Sequence, residues 1–312
     1  MQRSIALLGV PSSAGASWPG IEKAPAAYRA AGIVQALTGA GCDVQDWGDL
    51  PVERWRSALS HDGDWQANNV ERTVAVARQV KAAVREMVDV GVDVDVGVGA
   101  GRFALVLGGD CTITVGAYAG ARGAGFDPRL VYVDEGADTY TPALTDFSHL
   151  DGMGVAHMLG LPHTTALRDL GPDVPMLDPE DVIFVGLVEP GEATEPHRVP
   201  PPGPRAVFLA DDLRGRGGEA GREVLARLGA DDRPFWLHFD VDVIDFFDLP
   251  VADVPVFRGG TPFADVAALI DVIARDARCL GMTVTEFNPD HADPDGREAR
   301  VLVESLARPF RA

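Results

Sequence analysis

Short apolar runs of strand length recur along this chain of 312 residues, and amphipathic helical patterns separate several of them. The runs lie at residues 4–10, 103–109, 130–134, 181–187, 205–210, 235–243 and 281–287. Apolar residues recur at three- and four-residue spacing within 70–88, 222–228 and 263–277, as in helices that bury one face. Strands that alternate with helices predict an α/β fold with a mostly parallel sheet covered on both faces.

No linker divides this alternation. The stretch rich in proline and glycine at 195–205 is flanked by strand-like runs of the same character, which indicates a surface loop within one domain. The sequence also contains no internal repeat. We therefore expect a single domain that spans residues 1–312.

The charge of the chain limits its partners. With 47 acidic and 27 basic residues, the formal net charge is −20, which disfavours nucleic acid and anionic membrane surfaces as partners. Three widely spaced cysteines indicate neither a disulfide framework nor a zinc knuckle. The first apolar run is shorter than the core of a signal peptide, and no segment reaches the roughly 18 apolar residues of a membrane span. We expect a cytoplasmic protein, either a monomer or a homo-oligomer.

Cys111 is the first candidate site residue. It follows an apolar run and the pair Gly108-Gly109, a pattern that predicts a buried strand whose carboxyl end opens into a tight turn. Open α/β sheets bind ligands at such ends, so Cys111 would lie at the mouth of a pocket. Most free cysteines are simply small buried residues, and this stretch alone favours that interpretation.

Two further predicted strands end in pairs of carboxylates. Asp134 and Asp138 follow one strand, and Asp240 and Asp242 lie two apart on another, which places the second pair on one face. Burying unpaired carboxylates costs several kcal/mol each, and neither segment contains a lysine or an arginine.

A bound divalent metal would compensate this charge. Carboxylates suit Mg²⁺, Ca²⁺ or Mn²⁺, and a thiolate from Cys111 would shift the preference towards Mn²⁺, Fe²⁺ or Zn²⁺. The alternative, in which backbone N–H groups satisfy the carboxylates, stays open.

Five segments occur in the order of known family motifs: "GGDCT" at 108–112, "DEGADTYTP" at 134–142, "SHLDGM" at 148–153, "FDVDVID" at 239–245 and "TEFNPDHADPDG" at 285–296. They resemble the motifs GGDHS, DAHxDxxTP, SGNxHG, SxDxDxxDP and ExNP of the arginase–agmatinase (ureohydrolase) family. The opening at 9–32 also resembles that family's first strand, glycine-rich loop and first helix. The resemblance implies a three-layer α/β/α fold with a parallel sheet.

The resemblance also implies a reaction. In that family two Mn²⁺ ions share a hydroxide that attacks the guanidinium carbon and releases urea and an amine. By position, the ligands of the first ion would be Cys111, Asp134, Asp138 and Asp240. Asp134 and Asp240 would bridge to the second ion, which Asp242 completes. Glu286 matches the carboxylate that pairs with the substrate guanidinium.

Several positions depart from the family motifs. The first histidine ligand is Cys111 here and the second is Gly136, so one or two ions are possible. The histidine credited with proton transfer falls on Asp151. His149 and His238 are alternative proton carriers near the site, unless a backbone carbonyl satisfies them.

Other departures concern the substrate. The positions that bind an amino acid's α-carboxylate fall on Tyr140, Thr145 and Phe147, of which Thr145 alone keeps a small hydroxyl side chain, and the usual Asp-Pro is replaced at Phe246-Phe247. The cysteine ligand and the lost shuttle histidine resemble the branch that includes the Nω-hydroxy-L-arginine amidinohydrolase of D-cycloserine biosynthesis. We therefore expect a hydrolase of guanidino or hydroxyguanidino compounds. The alternative is an inactive member with a binding or regulatory role.

Overall fold

Eight parallel strands form one sheet in the computed structural model, which describes residues 3–57, 67–89, 102–144, 149–188, 203–257 and 259–311. The strands are β1 (Ser4–Gly9), β2 (Asp43–Asp49), β3 (Phe103–Leu107), β4 (Arg129–Val133), β5 (Val182–Leu187), β6 (Ala206–Leu209), β7 (Phe235–Asp240) and β8 (Cys279–Thr285). Their order across the sheet is β2-β1-β3-β8-β7-β4-β5-β6.

Helices cover both faces of this sheet. They are α1 (Ala24–Ala30), α2 (Ile33–Gly39), α3 (Val70–Val88), α4 (Thr112–Gly123), α5 (Gly154–Met158), α6 (Ala210–Leu213), α7 (Gly217–Leu228), α8 (Phe263–Arg275) and α9 (Arg297–Ala307). Apolar residues of α1, α2, α7, α8 and α9 pack in one core, and those of α3, α4 and α5 pack in a second core on the other face. The predicted three-layer α/β/α fold is confirmed.

The central strands are continuously apolar because both of their faces are covered. In β3, Phe103, Leu105 and Leu107 belong to the first core, whereas Ala104 and Val106 belong to the second. This alternation is the period of two that successive side chains of any strand follow. It explains why the sequence showed runs of apolar residues rather than alternating ones.

The predicted elements are present, with shifted ends. The helix predicted at 70–88 is observed as Val70–Val88, whereas the strand predicted at 235–243 ends at Asp240 and continues as a single 3₁₀ turn. The prediction missed β2, α2, α4, α5, α6 and α9. Most of the predicted loop at 195–205 lies outside the described residues. Among the described helices, none combines the length and the apolar character that a membrane crossing requires.

Candidate metal centre

The predicted site residues lie at the carboxyl ends of four neighbouring strands. Cys111 follows β3, Glu286 follows β8, Asp240 ends β7 and Asp134 follows β4, and these strands are adjacent in the order β3-β8-β7-β4. Because parallel strands end at the same edge of a sheet, residues that are far apart in sequence meet there.

A pocket of about 360 Å³ opens at this edge. Its lining includes all five metal ligands that the resemblance implies: Cys111, Asp134, Asp138, Asp240 and Asp242. All five are buried, with exposed fractions between 1% and 7%. No lysine or arginine is among the described residues that line the pocket.

Four buried side chains, three of which line the pocket, form a compact group. The Cys111 thiol donates to Asp240 Oδ2 at 2.7 Å. The imidazole Nε2 of His238 is 3.4 Å from Asp134 Oδ2 and 3.7 Å from Cys111 Sγ. One ligand atom from each of these four residues lies within 4.8 Å of the other three. We call Cys111, Asp134, His238 and Asp240 the four-ligand group.

Among the described residues, backbone N–H groups donate to one oxygen of Asp134 and one of Asp240. The Gly136 N–H donates to Asp134 Oδ1 at 2.6 Å, and the Asp242 N–H donates to Asp240 Oδ1 at 2.8 Å. The second oxygen of Asp134 lies beside His238, and that of Asp240 accepts the Cys111 thiol. Backbone hydrogen bonds therefore orient these carboxylates without neutralising them, which disfavours a purely structural interpretation.

The two remaining aspartates lie beside this group. Asp138 accepts the hydroxyl of Tyr132 and has a φ of 48°, which is unusual for a residue other than glycine. Asp242 Oδ1 accepts the Glu135 N–H at 3.3 Å. Together Asp134, Asp138, Asp240 and Asp242 form what we call the carboxylate cluster.

Burial disfavours the charged forms of these residues. It raises the pKa of Asp240 to about 6 and that of Asp138 to about 8. Burial and neighbouring carboxylates raise the pKa values of Asp134 and Asp242, and that of the Cys111 thiol, well above their usual ranges. A divalent cation would reverse these shifts, so the donor set fits a metal ion.

Glu286 lies next to this pocket and is almost completely buried, with 1% exposure. Among the described residues, neither of its carboxylate oxygens has a hydrogen-bond partner. Its φ of 62° is strained, as is often found at functional sites. One of its oxygens lies within 4.8 Å of ligand atoms of both Cys111 and Asp151. Two unpartnered oxygens suit a planar donor such as a guanidinium group.

The residues predicted to transfer protons also line the pocket. Asp151 Oδ1 accepts the Cys111 N–H at 2.6 Å, and His149 Nδ1 lies 2.8 Å from Ser17 Oγ. His238 does not line the pocket but is fully buried on β7 and belongs to the four-ligand group.

Of the predicted substrate residues, Tyr140 lines the pocket, whereas Thr145 and Phe147 lie outside the described residues. Phe246, at one of the departures from the motifs, packs against Phe257 and His291 rather than in the pocket wall.

Comparison with known proteins identifies the family. A sequence model of the arginase family matches residues 3–309. The chain belongs to the arginase family. Human Arginase-1 is 29% identical over 299 residues, which are 92% of this chain and 85% of that protein.

The solved arginases show the same fold. The arginase of Bacillus caldovelox superposes with a TM-score of 0.82 at 24% identity, covering 99% of this chain and 98% of the other. The arginase of Bacillus cereus gives a TM-score of 0.80 at 24% identity, covering 100% and 99%. Members of the arginase family typically bind two metal ions.

Sequence reasoning missed one potential ligand. The sequence predicts His238 only as a proton carrier, yet it belongs to the four-ligand group. The detectable signal was its spacing of two from Asp240 on the same strand, which places both side chains on one face.

Proposed function

We propose that this protein is a metal-dependent amidinohydrolase, which releases urea or hydroxyurea from a guanidino or hydroxyguanidino compound. The observation that carries the proposal is the pocket of buried acidic groups without a described lysine or arginine in its lining. Such a pocket attracts cations, and both a divalent metal and a guanidinium group are cations.

The metal is proposed to be Mn²⁺, the ion that the family resemblance implies. Cys111, Asp134, Asp138 and Asp240 would hold the first ion. Asp242, with the shared Asp134 and Asp240, would hold a second ion more weakly, because Gly136 supplies no side chain. A divalent ion in such a site lowers the pKa of a water molecule and polarises the bond to be broken.

Glu286 is proposed to bind the substrate. Its buried carboxylate would form a charge-assisted pair with the guanidinium group and hold the guanidinium carbon towards the carboxylate cluster. Tyr140, Thr145 and Phe147 would contact the remainder of the substrate.

Hydrolysis adds water across the C–N bond, so the leaving nitrogen must gain a proton. Asp151 and His149 line the pocket and are the proposed proton carriers. The Ser17 hydroxyl, 2.8 Å from His149 Nδ1, would orient the ring. The family's proton-transfer histidine is replaced by Asp151 here. A hydroxylated guanidine is less basic than a guanidine, so a metal centre without that histidine could still hydrolyse it. L-Arginine should be a poor substrate, because Tyr140 and Phe147 occupy the sequence positions at which the family motif carries small polar residues that bind its α-carboxylate.

The test is to incubate the Mn²⁺-loaded protein with L-arginine, agmatine and Nω-hydroxy-L-arginine, and to measure urea and hydroxyurea. We expect hydroxyurea from the hydroxylated substrate and little urea from L-arginine. The Glu286→Gln variant controls for release that does not depend on the site. Comparable turnover of arginine and hydroxyarginine would contradict the proposed selectivity. A metal-loaded protein that releases neither product would favour the inactive alternative.

A further inference from the structure

His238 contacts two residues of the proposed metal site but has no role in the function described above. It is fully buried on β7 and points to the same side as Asp240, two residues later. Its Nε2 atom faces the Asp134 carboxylate and the Cys111 sulfur at 3.4 Å and 3.7 Å. An imidazole in this position is a neutral nitrogen donor among acidic groups.

We propose that His238 is itself a metal ligand, and that the four-ligand group binds one divalent transition-metal ion through sulfur, nitrogen and two carboxylate oxygens. This inference rests on the metal dependence of the proposed function. It differs from the assignment implied by the family motifs, in which Asp138 is the fourth ligand of that ion and the position of His238 is a serine.

The distances within the group suit a four-coordinate ion. Tetrahedral ligands about 2.0–2.3 Å from a zinc ion stand roughly 3.3–3.8 Å apart. The separations of His238 Nε2 from Asp134 Oδ2 and from Cys111 Sγ, 3.4 Å and 3.7 Å, lie in that range. The separation of Cys111 Sγ from Asp240 Oδ2 is 2.7 Å, because the thiol donates a hydrogen bond there. Binding a metal ion removes that proton, and with it the hydrogen bond.

The second ring nitrogen of His238 also has a suitable partner. Nδ1 is 2.7 Å from the Thr114 hydroxyl, which is 2.8 Å from the Thr283 hydroxyl. When Nδ1–H donates to Thr114, Nε2 carries a free lone pair directed at the group. Ligating histidines usually have such a partner on the other nitrogen. Tyr132 stacks on the imidazole at 3.9 Å with an interplanar angle of 11°, which fixes the plane of the ring.

Asp138, the fourth ligand that the family motifs imply, would instead hold the Tyr132 ring in place. Asp138 accepts the Tyr132 hydroxyl, so the ring that stacks on His238 also holds this carboxylate. The nitrogen donor that the first ion lacks, because Cys111 stands at the family's first histidine position, would thus be supplied from β7. A ligand set with sulfur and nitrogen prefers ions such as Zn²⁺, Co²⁺ and Fe²⁺ over Mg²⁺ and Ca²⁺.

The test uses Co²⁺, whose visible absorption reports the number and type of its ligands. We expect wild-type protein to bind Co²⁺ with a thiolate-to-cobalt charge-transfer band and an intense four-coordinate visible band. His238→Ser should keep the charge-transfer band from Cys111, change the visible band, and bind Co²⁺ about tenfold or more weakly. Thr114→Val, which keeps the imidazole, should weaken binding less.

His157→Gln is the matched control. His157 is as buried as His238, but its nitrogens contact the Met153 carbonyl and the Thr165 hydroxyl, away from the four-ligand group. Its Co²⁺ affinity and spectrum should equal those of wild type. If His238→Ser also leaves both unchanged, the proposal is overturned.

X-ray absorption of the Co²⁺-loaded wild type keeps the test decisive if His238→Ser fails to fold. The proposal requires scattering from one sulfur and one imidazole, and a spectrum without imidazole contradicts it. These readouts do not depend on turnover. A protein that binds Co²⁺ through His238 but hydrolyses no guanidino compound would support His238 as a ligand and contradict the proposed function. A protein that hydrolyses a guanidino compound but binds Co²⁺ without His238 would support the function and contradict the ligand.

Discussion

Buried aspartates occur at both ends of the sheet, but their surroundings differ. Before β5, Asp181 is contacted by three arginines: Arg233 at 2.7 Å, Arg205 at 3.6 Å and Arg129 at 3.8 Å. At the opposite end, the carboxylate cluster has no described lysine or arginine in the pocket lining. Arginines therefore neutralise the aspartate at one end of the sheet, whereas the described lining at the other end offers the aspartates no lysine or arginine.

The pKa values at the two ends move in opposite directions. Beside Asp181, a hydrogen-bonded pair with Arg129 lowers the pKa of Asp231, an exposed aspartate, to about 2. In the carboxylate cluster, burial raises the pKa of Asp240 to about 6. The comparison teaches that arginines neutralise carboxylates at one end, whereas at the other end protons or a bound cation must neutralise them.

Replacing one aspartate at each end of the sheet should test most clearly whether the two ends differ. Asp240 contacts the Cys111 thiol and the Asp242 N–H, so Asp240→Asn should weaken Mn²⁺ binding by about a hundredfold or more and abolish hydrolysis. Dialysis against Mn²⁺ followed by elemental analysis measures the first effect. The matched variant, Asp181→Asn, should lose about 1–3 kcal/mol of unfolding free energy yet keep its metal. Equal metal content in both variants would mean that Asp240 is no more important for metal binding than Asp181.

Glu286→Gln separates substrate binding from metal binding. The variant keeps the shape of a side chain whose two oxygens have no described partner, but it removes the charge that would pair with a guanidinium group. We expect kcat/KM to fall by roughly 10- to 150-fold, as when a hydrogen bond to a charged group worth about 1.5–3 kcal/mol is lost. Metal content should be unchanged. Loss of metal together with activity would indicate that Glu286 supports the metal site instead.

The raised pKa values predict how stability depends on pH. Folding raises the pKa of Asp240 from its ordinary 3.8 to about 6, and that of Asp138 from 3.8 to about 8. The metal-free folded state therefore binds more protons than the unfolded state between about pH 4 and pH 8. The stability that the protonated Asp240 and Asp138 carboxyls give the metal-free fold is complete below that pH window. It is lost as the pH rises through the window.

A bound cation replaces these protons. The gain in Tm on adding Mn²⁺ should consequently be larger at pH 8 than at pH 5, by about 2–4 °C or more. Differential scanning calorimetry at both pH values measures it. A gain that is equal at pH 5 and pH 8 would show that these carboxylates are not the groups that bind the ion.

Gly136→His tests the second ion and has the smallest expected effect. The Gly136 N–H holds Asp134 Oδ1 at 2.6 Å, and a histidine there keeps that amide while adding a nitrogen near Asp134 and Asp242. Mn²⁺ content should rise from about one ion per chain towards two, and hydrolysis should rise with it. A Tm that falls at every Mn²⁺ concentration would instead show that the histidine disrupts the loop. A folded variant that still binds one ion would show that Gly136 is not the missing ligand position.

The fold was largely predictable because buried parallel strands are continuous apolar runs. The prediction missed β2 because this edge strand, Asp43–Asp49, is mostly polar and exposed. It missed α4 because this helix is buried all around and shows no polar face. Local patterns carry little signal in either case.

The site was predictable where one strand end determines a position, as for Cys111, Asp134 and Asp240. The surroundings of His238 were not, because they depend on pairing between distant segments. Strand pairing puts His238 beside Tyr132 on β4 and Thr283 on β8, and Thr114 comes from α4. No short segment of the sequence contains that arrangement.

The central claim, that a bound divalent ion balances the charge of the carboxylate cluster, is tested most directly on the wild-type protein. The measurement is the metal content after dialysis with Mn²⁺ and removal of free ions, read together with Tm before and after loading. The account predicts at least one tightly bound ion per chain and a higher Tm in the loaded protein. A protein that retains no Mn²⁺ or other transition metal, and whose Tm is the same with and without Mn²⁺, would contradict it.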